Sequence, residues 1–174
     1  MVFKLRFPRA DVLKWASRYE ETPGERAIER LGARAQRRGY LERDEFLALC
    51  YWKSPRSQPH CTANSAYSIE FCTRSALSHD TPDELKILFL TSLSGVGWPT
   101  ASVILHLCDV APFPILDVRA LWSLSHDVRG RYSRPLWHEY TLFTRRLAQK
   151  VGCNMRTLDR ALWQYSKERQ IKRF

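Results

Sequence analysis

Apolar residues recur every three or four positions along almost the whole of this 174-residue chain. This spacing puts them on one face of an α-helix, whereas a half-buried strand needs an alternation that no long stretch of the chain shows. The sequence therefore predicts an all-α protein with about eight helices, and it predicts a loop at 54–62, which contains two prolines. Outside the central part, the helical segments are Val12–Tyr19, Ala27–Ala35, Leu41–Cys50, Asn64–Leu77, Leu136–Val151 and Leu158–Tyr165.

The segment 90–117 carries the most specific pattern, two helical stretches around a short turn with Gly95 and Gly97. The sequence Thr81-Pro82-Asp83-Glu84 is typical of a capping box and predicts where the first helix begins. Pro99 falls in the first turn of the second helix, where its missing N–H costs little. Because glycine has no Cβ and a helix N-terminus attracts anions, this turn is suited to a phosphate of a nucleic-acid backbone.

Asp117 closes the segment, after a loop that contains Pro112 and Pro114. A carboxylate here can cap the helix that begins at Val118. It can also stabilise the positive charge that builds on a deoxyribose when an N-glycosidic bond breaks, and it can orient a water molecule. The two roles are compatible, and the residues alone leave both open.

These residues resemble the helix-hairpin-helix (HhH-GPD) superfamily of base-excision DNA glycosylases, which includes endonuclease III, adenine DNA glycosylase and 3-methyladenine DNA glycosylase. The family pattern Leu-x-Gly-Val-Gly corresponds to Leu93-Ser94-Gly95-Val96-Gly97, and Thr100-Ala101, Pro114 and Asp117 follow in order. The close match is confined to the segment 90–117, and the rest of the chain agrees in helical character only.

The resemblance implies one compact, two-lobed helical domain over 1–174, with the C-terminal helices packed beside the first. The hairpin would occupy 83–108 and the Gly/Pro–Asp loop 109–117, with Asp117 as the catalytic carboxylate. Contacts with the DNA backbone are then expected at Gly95, Val96, Gly97 and Thr100.

Pro99 decides the sub-class that the resemblance implies. Bifunctional members carry a lysine here, which attacks C1′ and permits strand cleavage, whereas proline has no nucleophile. A monofunctional glycosylase is therefore expected, with Lys53 as a less favoured source of an amine. The family also allows a K+ or Na+ ion on the backbone of Leu93 and Gly95. Some members hold an iron–sulfur cluster on C-terminal cysteines, but only Cys153 lies in that region, so no cluster is expected.

The segment 51–56, Tyr-Trp-Lys-Ser-Pro-Arg, corresponds to the family's helix end and loop that line the base pocket. Because aromatic faces stack on an extruded base, Tyr51 and Trp52 suit the pocket, and Lys53 and Arg56 suit the flanking phosphates. Core aromatics and solvated cations are an equally favoured interpretation. The segment lacks the family's usual Gln-containing motif, so the resemblance does not identify the base.

Two candidates follow Asp117 in the sequence. Arg119 is expected to help hold the Asp117 carboxylate or to contact the DNA backbone, and a surface position is equally favoured. Trp122 is a candidate wall of the base pocket, although a tryptophan at this spacing is more often part of the core.

The composition indicates which class of partner to expect. The chain has 28 Lys and Arg against 18 Asp and Glu, a net charge of +10, which attracts polyanions such as double-stranded DNA. Four arginines recur on one predicted helix face, which indicates either an anionic partner or, more commonly, a solvated face relieved by neighbouring glutamates. They are Arg26, Arg30, Arg34 and Arg37.

Other features favour a cytoplasmic protein, associated with the nucleoid in a bacterium, and we expect a monomer. No apolar run approaches the roughly 18 residues that a membrane span needs, and the N-terminus has no signal-peptide core. The five cysteines include no C-x-x-C pair, which argues against a disulfide framework and a clustered zinc site.

Three function classes remain at this point. The first is a monofunctional DNA glycosylase. The second is a catalytically silent helix-hairpin-helix protein that binds nucleic acid. The third is a small-molecule N-glycosidase, which the net charge and the hairpin disfavour.

Overall fold

A computed structural model of the chain describes residues 3–126 and 132–170, and within these ranges it contains ten α-helices and no strand. The predicted all-α class is confirmed, with ten helices instead of about eight. The helices are α1 (Val12–Ala16), α2 (Pro23–Arg38), α3 (Arg43–Lys53), α4 (Gln58–Cys61), α5 (Ala66–Leu77), α6 (Asp83–Thr91), α7 (Trp98–Cys108), α8 (Val118–Ser123), α9 (Arg134–Val151) and α10 (Met155–Arg169), with 3-10 turns at Arg9–Asp11 and Pro55–Ser57.

The helices group into two compact units. Unit 1 comprises Met1–Glu20 and Pro112–Phe174 and contains α1 and α8 to α10; unit 2 comprises Glu21–Ala111 and contains α2 to α7. In unit 1, α10 packs against both α1 and α8, so the packing beside the first helix that was expected of the C-terminal helices is confirmed for α10. In unit 2, α7 packs against α2, α3 and α6. No helix in the described ranges is long and apolar enough to cross a membrane.

The predicted loop at 54–62 is wrong, because this segment forms the second 3-10 turn and α4. Both of its prolines, Pro55 and Pro59, lie in the first turn of a helix. A first-turn residue needs no N–H donor, so proline starts a helix there and does not break one.

The predicted capping box at 81–84 is also wrong. Pro82 is the N-cap of α6, and no side chain caps this end of the helix. The Thr81 hydroxyl instead donates to the carbonyl of Ser75, 2.7 Å away in α5. Pro99, by contrast, lies in the first turn of α7 as predicted.

One ion pair lies in the interior of unit 2. Lys86 Nζ, on α6, donates to Asp109 Oδ2 just beyond α7 over 2.8 Å, and it also donates to the carbonyls of Ala76 and Ser78 at the end of α5. The two side chains are only 4% and 1% exposed. Asp109 Oδ1 accepts the N–H of Ala111 at 2.8 Å. Because an unpaired buried charge is costly, this pair fixes the ends of three helices relative to one another.

Lys86→Met should lower the free energy of unfolding by about 3–5 kcal/mol, because it leaves the Asp109 carboxylate buried without its cation. Urea denaturation followed by circular dichroism measures the loss. The matched control is Arg74→Met, which removes a half-exposed pair with Glu70 and should cost less than about 1 kcal/mol. Similar losses in the two variants would contradict the structural role of Lys86.

Candidate active site and nucleic-acid contacts

The turn between α6 and α7, Leu93–Gly97, belongs to unit 2. The carbonyl of Leu93 accepts the N–H of Val96 at 3.1 Å, and Gly97 is the N-cap of α7. The N–H groups in the first turn of a helix have no acceptor inside that helix. The start of α7 therefore offers main-chain donors of the kind that bind phosphate, with the exception of Pro99, which has no N–H.

The two glycines of this turn differ in how much room each has for a side chain. Gly95 has a φ of +78°, and a Cβ there would lie 2.7 Å from Cys61 Sγ and 2.8 Å from the Cys61 backbone nitrogen of α4. Internal packing therefore explains the need for glycine at position 95. Gly97 has an ordinary φ of −85°, and a Cβ there would meet only Pro99, at 3.8 Å. The open side of the turn is therefore at Gly97.

Asn64 holds the turn from outside and was not predicted from the sequence. Its side-chain Nδ2 donates to the carbonyl of Ser94 at 2.9 Å, and its Oδ1 accepts the N–H of Ser94, also at 2.9 Å. Nδ2 also donates to the carbonyl of Cys61, at the end of α4. One amide thereby fixes both backbone groups of Ser94 and joins the turn to α4.

Val96 and Thr100, two of the predicted backbone contacts, are buried, with 6% and 4% of their surface exposed. A ligand at the turn would therefore meet their main chain and not their side chains. The carbonyls of Leu93 and Gly95, which the resemblance associates with a monovalent cation, belong to the same turn.

The predicted pocket segment 51–56 also lies in unit 2. Tyr51 is 59% exposed at the end of α3, Trp52 and Lys53 are half-buried, and Arg56 is exposed in the 3-10 turn. The segment leads directly into α4, which packs against Gly95. The structure therefore connects this segment to the α6–α7 turn through α4.

Asp117 lies in unit 1 as the N-cap of α8, and its Oδ1 accepts the N–H of Arg119 at 2.8 Å. The predicted capping role is therefore confirmed. The side chain is half-buried, and the four residues before it are buried. Asp117 thus presents a carboxylate at the boundary between the interior of unit 1 and its surface.

The loop before Asp117 is fixed to α9 by three contacts. The Tyr140 hydroxyl donates to the carbonyl of Ile115 at 2.9 Å, and Arg145 Nε donates to the carbonyl of Pro112 at 2.8 Å. The ring of Phe113 stacks on that of Trp137, with the planes only 13° apart. These contacts limit the movement of the backbone that carries the carboxylate.

The negative charge of Asp117 raises the pKa of two tyrosine side chains. Burial raises the pKa of Tyr132, and the Asp117 carboxylate raises it further. Burial likewise holds the pKa of Tyr140 well above its usual value, with added contributions from Asp159 and Asp117. Both phenols therefore stay protonated at neutral pH, beside the candidate catalytic group. Neither tyrosine was predicted as part of a site, since the helical stripe at 136–151 indicated only a core role for Tyr140.

The other two candidates near Asp117 belong to aromatic clusters of unit 1. The guanidinium of Arg119 lies 5.4 Å from the ring centroid of Trp163. Trp122 stacks on Tyr165 with the centroids 5.8 Å apart, and the guanidinium of Arg6 lies 4.5 Å from the Trp122 ring.

The arginine face predicted on the second helical segment lies on α2. Two of its members pair with carboxylates: Arg26 with Glu21 at 3.6 Å, and Arg34 with Glu45 at 3.5 Å. Partial neutralisation of this kind favours the interpretation of a solvated face.

Among the described residues, one group of three carboxylates is close enough together to hold a metal ion. It consists of Glu21, just before α2, and Glu25 and Glu29 on α2. The chain's cysteines are all free thiols, and those of α3, α4 and α7 are buried. Burial raises the pKa of the Cys50 and Cys108 thiols, so both are neutral.

Comparison of the chain with protein-family models, curated proteins and solved structures found no match.

Gly95→Ala and Gly97→Ala should separate internal packing from ligand access. We expect Gly95→Ala to destabilise the protein by at least about 2 kcal/mol, because it combines a strained φ with overlap at Cys61. Gly97→Ala should change the free energy of unfolding by less than about 1 kcal/mol. Thermal and urea unfolding measure both variants. If Gly97→Ala lowers the free energy of unfolding as much as Gly95→Ala does, Gly97 is not on the open side of the turn.

Proposed function

We propose that this protein is a monofunctional DNA glycosylase of the helix-hairpin-helix type, which hydrolyses the N-glycosidic bond of a damaged or modified base. The observation that carries the proposal is the way Asp117 is held, half-buried at the N-cap of α8 after a loop that is anchored to α9. A carboxylate that stabilises a cationic transition state works best when it is fixed before the reaction, because it then pays no reorganisation cost.

In the proposed reaction, the bond between C1′ and the base nitrogen breaks, and positive charge builds on the deoxyribose. The Asp117 carboxylate stabilises this charge. A water molecule adds its oxygen to C1′ and gives up a proton, and the departing base takes a proton. The products are the free base and an intact abasic site.

The α6–α7 turn has the proposed role of holding the DNA backbone through main-chain donors at Gly97 and the start of α7. Pro99 occupies the position at which lyase members of the resembled family carry a lysine, which supports hydrolysis without strand cleavage. Tyr51 and Trp52 are the proposed stacking surfaces for the extruded base, and Tyr51 is exposed enough for this role. The proposal includes a monomeric enzyme in the cytoplasm that acts on double-stranded DNA.

Asp117→Asn tests the catalytic role with little risk to the fold, because asparagine also caps helices well. The variant keeps an acceptor for the Arg119 N–H and loses only the negative charge. We expect excision to slow by at least about 100-fold, while thermal stability and DNA affinity stay close to wild type. The matched control is Asp80→Asn, which neutralises a carboxylate with 99% of its side-chain surface exposed in unit 2.

The assay uses single- and double-stranded oligonucleotides with uracil, 8-oxoguanine, hypoxanthine, alkylated purines, bulky modified pyrimidines or adenine opposite 8-oxoguanine. Strand breaks that appear only after hot alkali, and only with wild type and the control, would support the proposal and identify the base. Breaks without alkali would indicate a lyase and point to Lys53. Binding without excision of any base would favour the catalytically silent binding protein.

A further inference from the structure

The net positive charge of the chain lies in one of its two units. Unit 1 carries 18 Lys and Arg against 7 Asp and Glu, a net charge of +11. Unit 2, which contains the α6–α7 turn, carries 10 Lys and Arg against 11 Asp and Glu, a net charge of −1. Because affinity for a nucleic-acid backbone depends strongly on the cations that meet its phosphates, the turn alone does not account for an electrostatic attraction.

Three cationic side chains of unit 1 lie over two aromatic rings. The guanidinium of Arg119 and the ammonium of Lys167 lie 5.4 and 5.2 Å from the ring centroid of Trp163. The ring of Tyr19 meets Trp163 edge-on with the centroids 5.4 Å apart, and the guanidinium of Arg160 lies 5.4 Å from the Tyr19 ring. We call these five residues the cation–aromatic cluster.

The cluster begins beside the proposed catalytic residue. Arg119 donates its N–H to Asp117, and α8, which carries Arg119, packs against α10, which carries Arg160, Trp163 and Lys167. Three cations from two packed helices thus lie on the same side of unit 1 as the start of α8.

Ion pairs within unit 1 do not change its net charge. On α10, Asp159 pairs with Arg156 at 3.0 Å, and Glu168 pairs with Arg18 at 2.6 Å. The Arg18 hydrogen bond also lowers the pKa of Glu168. Unit 1 keeps its excess of +11 with these pairs included, since each pair is neutral.

We propose that the cation–aromatic cluster is a second contact for the nucleic-acid backbone, which binds the phosphates next to the nucleotide at Asp117. The proposal rests on the proposed function and adds to it the surface that supplies electrostatic affinity. Cations held over aromatic faces are already ordered, so less side-chain entropy is lost when they bind phosphate. The partner is a phosphodiester backbone and not a single phosphate, since the three cations come from separate positions along two helices.

Arg160→Gln/Lys167→Gln tests the proposal without using Asp117 or Arg119. The measurement is the dissociation constant for an undamaged fluorescent duplex between about 50 and 300 mM KCl, a range over which the Debye length falls by more than half. We expect weaker binding and a slope of log affinity against log salt that falls by about 2, the loss of two phosphate contacts. The matched control is Arg30→Gln/Arg37→Gln, which removes the same charge from α2 and should leave the slope unchanged.

Trp163→Leu keeps every charge and removes the ring between two cations. We expect weaker binding with no change in net charge, and thermal unfolding checks that the variant is folded. If Trp163→Leu does not fold, Trp163→Phe replaces it. This variant keeps an aromatic face and should retain wild-type affinity.

The proposal is overturned if the Arg160/Lys167 variant binds duplex like wild type, or loses no more affinity than the α2 control. It is also overturned if the variant loses affinity for vesicles of anionic phospholipid but not for DNA. Because the duplex is undamaged, the result does not depend on excision. If the Arg160/Lys167 variant binds like wild type but excision still depends on Asp117, only the proposed phosphate contact is wrong. If the variant binds more weakly but no base is excised, the phosphate contact stands and the glycosylase proposal does not.

Discussion

The buried pair between Lys86 and Asp109 sets the geometry of unit 2. It joins the first part of α6 to the end of α7 and to the carbonyls that close α5. At the other end of the same two helices, Gly95 packs against α4, and Asn64 fixes the backbone of Ser94. A buried ion pair adds little net stability, but breaking it is costly, so it selects one arrangement of the helices over others. The pair of helices α6 and α7 is thus held at both of its ends.

The two units have different physical characters, and the proposed functions follow that division. Unit 2 is nearly neutral and contributes a shaped turn with main-chain donors. Unit 1 carries the positive charge and also holds Asp117 on a loop fixed to α9. A negative catalytic group gains from cationic surroundings that attract the substrate, provided that the cations reach the phosphates and do not neutralise the carboxylate. In our proposal, the cation–aromatic cluster supplies these cations, and aromatic rings position them.

Much of the fold could be predicted from the sequence, because helical periodicity and helix-terminating glycines act locally. Gly39 and Gly152 end α2 and α9 in the left-handed region, where the stripes stop. The Asp117 cap could be predicted for the same reason. The Asn64–Ser94 clamp and the Tyr140–Ile115 hydrogen bond could not, since they join residues 30 and 25 positions apart and leave no periodic signal. Gly95 shows the limit most clearly: the motif identified the glycine, but only packing against Cys61 shows why it is needed.

The central claim is that Asp117 stabilises positive charge at C1′, and it can be tested without knowing the excised base. The measurement compares the affinity of the protein for two duplexes, one with a cationic pyrrolidine in place of the deoxyribose and one with a neutral tetrahydrofuran. Analogues of a transition state bind more tightly than ground-state mimics, so wild type should prefer the cationic duplex by about 100-fold or more. Asp117→Asn should lose this preference and keep its affinity for the neutral duplex. Equal affinities in wild type, or an unchanged preference in the variant, would contradict the account.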